Sequence, residues 1–184
     1  MMTTMRSLRF HDFGEPGDVL RLEEAPVPSP GANRIRVVVH ACGLNPADWA
    51  LCRKLYDMEL PRGIGIDVSG TVDAVGDGVT DIAIGDQVLG FADFAHYASA
   101  GASEDAVLDH WAKVPAGLDL NLAAALPMAA VIGNHAVDAL EIERGQTLLI
   151  HGGGSMMGFA AVQIARDRRN ERERAARTAA HVEA

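Results

Sequence analysis

TLLIHGGGSMMGFAAVQIA, residues 147–165, is the stretch against which the rest of the chain is read. A short apolar strand at 147–151 runs into three glycines and a serine, then into an alanine-rich helix carrying Phe159, Val162 and Ile164. Strand, glycine turn and helix in that order open a nucleotide-binding βα unit. The turn lets backbone approach a diphosphate, whose charge then lies at the helix N-terminus. After Arg166 the one branched apolar residue is Val182, so no second strand is expected and the unit is begun rather than finished.

Working outward, 184 residues can hold one sizeable domain, or one domain plus a fragment of a second, and an apolar fraction of 48% belongs to a globular chain. The first ten residues, MMTTMRSLRF, lack an apolar core and a small-residue cleavage site, so no secretory signal is expected. The longest low-polarity run, 122–133, is broken by Pro127 and is too short to span a bilayer. Two cysteines, Cys42 and Cys52, make no disulfide framework, and the reducing cytoplasm is the expected setting. The net charge of −9 is uneven: residues 1–165 carry 10 basic and 21 acidic side chains, residues 166–184 carry 6 and 4. An acidic body argues against nucleic acid as a partner, because phosphate binding needs clustered Lys and Arg. The tail interleaves its charges and reads as a solvated, helical or disordered segment.

Taken in order, residues 5–13 read as a first strand, closed by the turn at 14–17, and 19–24 as a second. Residues 34–41 alternate most clearly, with Ile35, Val37, Val39 and Ala41 on one face and Arg34, Arg36 and His40 on the other. Asn45 has the chemistry to cap a short helix at 46–55. Residues 63–76 form a glycine-studded strand with Val68, Gly70, Val72 and Ala74 inward, where glycines mark bulges or close packing. Further strands are expected at 87–91, 94–98 and 107–114, completing a closed or half-closed barrel. The character then changes: Asp119 caps a helix at 120–126, Pro127 interrupts it, a second helix runs to about 140, and Gly145 ends that segment.

Several segments in this order resemble the medium-chain dehydrogenase/reductase superfamily, and within it the zinc-independent quinone oxidoreductase group. They are GLNPAD at 43–48, GIDVSGTV at 65–72 with Val75 and Gly76 after it, GDQV at 85–88, AAALP at 123–127 and TLLIHG at 147–152. The resemblance runs over residues 5–165 and implies a mainly β fold with an α/β fragment. A GroES-like β-barrel domain would occupy 1–118, the start of a truncated Rossmann domain 119–165, and the charged tail 166–184. On that resemblance the C-terminal part of the coenzyme domain is expected to be missing.

The same resemblance speaks to metal. The zinc enzymes of the superfamily have a cysteine where this chain has Asn45, a histidine where it has Ile66, and a proton-relay hydroxyl where it has Ala47. Amide and alkyl groups do not hold zinc, so no zinc is expected, and Cys42 and Cys52 are read as ordinary packed thiols. A quinone or enone is already electrophilic and needs mainly orientation and hydrogen-bond donors for hydride delivery. The resemblance therefore implies an NADPH-dependent, zinc-free oxidoreductase acting on a small-molecule quinone or enone. Asn45 would lie between nicotinamide and substrate, and Tyr56 would line the substrate pocket. Asn45 and Ile132 would lie near the cofactor, together with the turn Gly152, Gly153, Gly154, Ser155, Met156, Met157 and Gly158. Asp48 is read as structural, and Asp67 as holding backbone groups.

The chain departs from the family pattern at the turn, where Met156 replaces a usual glycine, and at Ile132 and Asn134, which replace a hydroxyl and an aromatic residue. With the second half of the coenzyme sheet missing, NAD and NADP are not distinguished, and impaired activity is expected. The alternative is a non-catalytic barrel fragment or interaction module. An open edge on the strand at 148–150 would favour a homodimer.

Overall fold

The structure, a computed structural model, describes residues 3–142, 146–167 and 181–183. Gly145 and most of the charged tail lie outside the described residues. Two compact units are present, Met1–Pro127 and Met128–Ala184. The sequence-based boundary at 118/119 places the helix after Asp119 with the second segment, whereas its contacts group it with the first.

In the first unit, β1 (Thr4–Phe10) pairs antiparallel with β2 (Leu20–Pro26), and the single turn α1 (Pro16–Val19) connects them. The other edge of β1 takes β4 (Arg62–Gly63), giving a three-stranded sheet. The barrel is closed and consists of β3 (Ile35–Gly43), β5 (Asp67–Val75), β6 (Gln87–Ala92) and β7 (Asp105–Lys113), all antiparallel. Its interior is filled by Ile35, Val37, Val68, Val72, Val88, Ala106 and Leu108, each 1% exposed or less. Closure leaves no unpaired edge on the barrel. The Arg6–Glu104 ion pair and the Leu8 N–H to Ala102 carbonyl bond tie the three-stranded sheet to it.

Two bulges shape the β3–β5 pairing of this barrel. The register of β3 on β5 slips between Arg36 and Val37, where Asp73 is the extra residue, and between Val39 and Ala41, where His40 is. A bulge resets the inward–outward alternation beyond it. Beyond His40, therefore, the expected grouping of Ala41 with Val37 fails. Cys42 does not share the exposed side with His40; it packs inward, its sulfur lying 2.3 Å from where a Cβ on Gly65 would stand.

Four other sequence expectations are corrected. The strand at 63–76 is two elements, because Gly65 has φ +92° and turns the chain between β4 and β5. Residues 94–98 form a turn: Asp93 accepts from the His96 N–H and its carbonyl accepts from the Tyr97 N–H, which folds the segment back on itself. Helix α2 (Pro46–Cys52) stops before Lys54, whose φ of 63° ends it, and α3 (Leu120–Ala123) is a single turn capped by the Asp119 side chain.

The second unit holds α4 (Pro127–Ala139), β8 (Thr147–Leu149) and α5 (Met156–Asp167). Ala129, Gly133 and Val137 recur every fourth residue on α4 and are its buried stripe. Val137, Ala161, Val162 and Ala165 form the core there, flanked by Ile142, Leu148, Ile150 and Ile164. Contrary to the sequence reading, a further strand exists: β9 (His181–Glu183) pairs antiparallel with β8, in the register Thr147 with Glu183. Backbone hydrogen bonding requires no apolar side chain, so a polar tail can supply it. One edge of β8 is thereby paired.

Candidate functional site

Strand β3 ends at Gly43, and two residues later Asn45 takes the N-cap position of α2 in extended conformation. Pro46 at the first helical position is pre-set for helical φ and has no N–H to leave orphaned. Asn45 and Asp48 form a capping box, in which Asp48 Oδ2 accepts from the Asn45 N–H at 2.6 Å. The other oxygen of Asp48 accepts from the N–H groups of Gly65 at 2.7 Å and Ile66 at 3.1 Å. Asp48 is 2% exposed, so one buried carboxylate satisfies three backbone donors and pins α2 to the loop before β5. The structural reading of Asp48 agrees with this geometry.

Asp67 begins β5 opposite Gly43 and is also 2% exposed. Its Oδ2 accepts from Asn45 Nδ2 at 3.0 Å, a side-chain partner that the sequence reading of Asp67 does not contain. The signal that could have revealed it is register: the strand that ends at Gly43 is paired with the one that begins at Asp67. A Cβ on Gly43 would stand 2.3 Å from the Ala124 carbonyl and 3.1 Å from Asp67 Cβ, so only glycine lets these segments meet. Burial, reinforced by the charges of Asp48 and Asp67, pushes the Cys42 thiol up to about 12. At neutral pH it is therefore held as the thiol. Burial likewise raises Cys52. Among the described residues, no group of three or more His, Cys, Asp or Glu is arranged to hold a metal ion.

Tyr56 lies past the end of α2 and is 59% exposed. In the second unit Ile132 is on the exposed side of α4, and Met156 and Met157 are exposed in the first turn of α5. The glycine turn has three distinct positions. Gly152 has φ +77° and makes the tight turn, with its carbonyl accepting from the Ser155 N–H and hydroxyl. A Cβ on Gly154 would meet nothing within 4 Å, leaving the backbone open to a ligand. A Cβ on Gly158 would stand 2.3 Å from the Gly152 carbonyl, so glycine there lets α5 sit directly on the turn. Ser155 Oγ accepts from the Gly158 N–H at 3.1 Å and caps the helix. Tight turn, open backbone and close helix packing are the three uses of glycine in a dinucleotide turn, so the residues present fit a pyrophosphate.

Barrel and glycine turn together define the class: a GroES-like barrel followed by the start of a Rossmann-type unit. Residues 31–117 match the family described as alcohol dehydrogenase GroES-like domain. The chain belongs to the medium-chain dehydrogenase/reductase superfamily. It is 34% identical over 167 residues to the quinone oxidoreductase of Rattus norvegicus, covering 88% of this chain and 50% of that protein. The quinone oxidoreductase structure from Coxiella burnetii superposes with a TM-score of 0.79 at 32% identity, covering 89% of this chain and 53% of the other. A mycobacterial structure complexed with NADPH gives 0.74 at 32%, covering 88% and 49%. The chain spans about half the length of the relatives it matches. Among the described residues, no helix is long and apolar enough to cross a membrane.

Proposed function

We propose that the chain serves a zinc-free, NADPH-dependent oxidoreductase that reduces a quinone or a conjugated carbonyl. One observation carries the reading. At the two positions where zinc enzymes of the superfamily place metal ligands, this chain has an amide bonded to Asp67 and an isoleucine only 6% exposed. Neither side chain binds zinc. A substrate that needs no Lewis acid, because its carbonyl is conjugated, matches that substitution, and the quinone oxidoreductases among the relatives support it.

NADPH, when bound, supplies the hydride. Backbone at 152–155 and the N-terminus of α5 would hold its pyrophosphate, since the first turn of a helix carries partial positive charge and unpaired N–H groups. Asn45 would donate a hydrogen bond to the carbonyl oxygen that gains negative charge, where a fixed donor is worth most. Tyr56 would border the substrate. Nothing in this scheme requires nucleic acid or a membrane, and self-association is a separate matter of the second edge of β8.

The test is a titration of purified protein with NADPH followed by nicotinamide fluorescence, then addition of a simple quinone. Saturable binding followed by quinone-dependent oxidation, unchanged by a metal chelator, is expected. A flat titration would overturn the proposal and leave a barrel with a non-catalytic, interaction-type role.

A further inference from the structure

We propose that Asp67 is the positioning residue for Asn45: it holds the Asn45 carboxamide by its nitrogen and so fixes which hydrogen is offered to a ligand. This rests on the reading above, in which Asn45 meets the substrate. The two residues face each other because β3 and β5 pair Gly43 with Asp67, and because glycine at 43 permits the approach. Which way round the amide lies follows from donor chemistry. A carboxylate can only accept, so the group 3.0 Å from Asp67 Oδ2 must be the amide nitrogen and not its oxygen. One of the two hydrogens on that nitrogen is thereby committed. The other is set in direction by the planarity of the amide.

Asp67 differs in this from its neighbour Asp48. The Asp48 carboxylate takes three backbone N–H groups and holds the fold. Asp67 Oδ2 takes a side chain that stands at the mouth of α2, where the chain leaves the barrel strand. Asn45 itself is half-buried, so its amide can reach both the buried carboxylate and a ligand. Unanchored, a terminal amide rotates broadly about its last torsion. An acceptor with a charge, removed from water, suppresses that rotation before any substrate arrives.

The experiment uses protein with 15N-labelled asparagine, with the Asn45 side-chain signals assigned by their loss in Asn45→Ser. In Asp67→Ser the Asn45 amide hydrogens are expected to exchange with water about tenfold faster than in the wild type, the protection a single such hydrogen bond gives. The Gly65 and Ile66 backbone amides, held by Asp48, should stay protected and so report that the fold is intact. Asp67→Asn keeps an oxygen acceptor of the same shape without the charge; it should fall between the two, and it replaces Asp67→Ser if that variant does not fold. Unchanged Asn45 exchange in a folded variant overturns the proposal. In turnover, Asp67→Ser should lower kcat about tenfold at unchanged KM for NADPH, and the double variant with Asn45→Ser should be no slower than Asn45→Ser alone. Additive losses would also overturn it. Absence of wild-type turnover refutes the oxidoreductase reading instead, and the exchange measurement still decides the role of Asp67.

Discussion

Two buried carboxylates, Asp48 in α2 and Asp67 at the start of β5, both hold Asn45, Asp48 at its backbone N–H and Asp67 at its side-chain amide. Asp48 accepts from Asn45, Gly65 and Ile66 through backbone N–H groups, those of Gly65 and Ile66 buried and that of Asn45 half-buried. Asp48→Ala would leave three donors without a partner, and a buried unpaired donor costs about 1–3 kcal/mol. We expect Asp48→Ala to lose at least about 2 kcal/mol in urea unfolding, from its two buried donors, with the slope unchanged. A loss below about 1 kcal/mol would show that water or rearranged backbone replaces the carboxylate. The spacing of Asn45 and Asp48, three apart at a helix start with Pro46 between them, makes this role legible in the sequence. The Asn45–Asp67 bond is not legible there, because it depends on cross-strand register between residues 22 apart. Register here is altered by a bulge at His40 that no residue type announces.

At the scale of elements, the glycine turn and α5 separate packing from ligand approach. Gly158→Ala puts a methyl 2.3 Å from the Gly152 carbonyl and 2.8 Å from Gly153 Cα, both backbone atoms that cannot swing aside. Helix α5 must then lift from the turn, at the roughly 1–3 kcal/mol typical of overpacking. Gly154→Ala meets nothing within 4 Å and has no positive φ to strain, so its stability effect should stay within about 0.5 kcal/mol. Hydrogen exchange of the α5 amides should therefore accelerate in Gly158→Ala and stay unchanged in Gly154→Ala. NADPH affinity should fall in both, because the methyl at 154 fills the place a pyrophosphate would take. Equal α5 exchange in the two variants would contradict this division of labour. Barrel strands such as β3 and β6 were readable from alternating apolar residues at 35–39 and from the turn before 87. The turn at 94–98 was not, because its aromatic residues imitate a strand while Asp93 folds the backbone locally. Strand β9 was hidden for the opposite reason: backbone hydrogen bonds pair it with β8, and its sequence has little β character.

For the whole molecule, the distribution of carboxylates predicts how it fails in acid. Four are held below their ordinary range. Lys113 lowers Asp86, the Arg6 N–H and guanidinium lower Glu104, and the donors of Asn121 and Leu122 lower Asp119. For Asp93 burial opposes ionisation, but the hydrogen bonds from Arg34 and His96 outweigh it. Burial raises Asp105 in the other direction. A carboxylate whose pKa falls on folding stabilises the native state above its unfolded value, near 3.9, and that contribution disappears as pH falls through the folded value. Asp105 has the opposite sign, contributing below its unfolded value and losing that as pH rises through the folded one. Solvent screens Asp86, Glu104 and Asp119 at the surface, so the buried Asp93 should carry most of the stability lost below about pH 4. Asp93 is the informative member, with its side chain 1% exposed and Arg34 Nε at 2.5 Å. Asp93→Asn keeps the shape but cannot ionise, and should cost about 2 kcal/mol at pH 7, the worth of a hydrogen bond to a charged group. The gap between variant and wild type should then close as the wild-type carboxyl protonates between pH 4 and lower values. Urea midpoints measured for both proteins from pH 7 to pH 3 would show it. A gap of constant size across that range would mean that Asp93 acts through packing and neutral hydrogen bonds, and that its charge has no part in the barrel's stability.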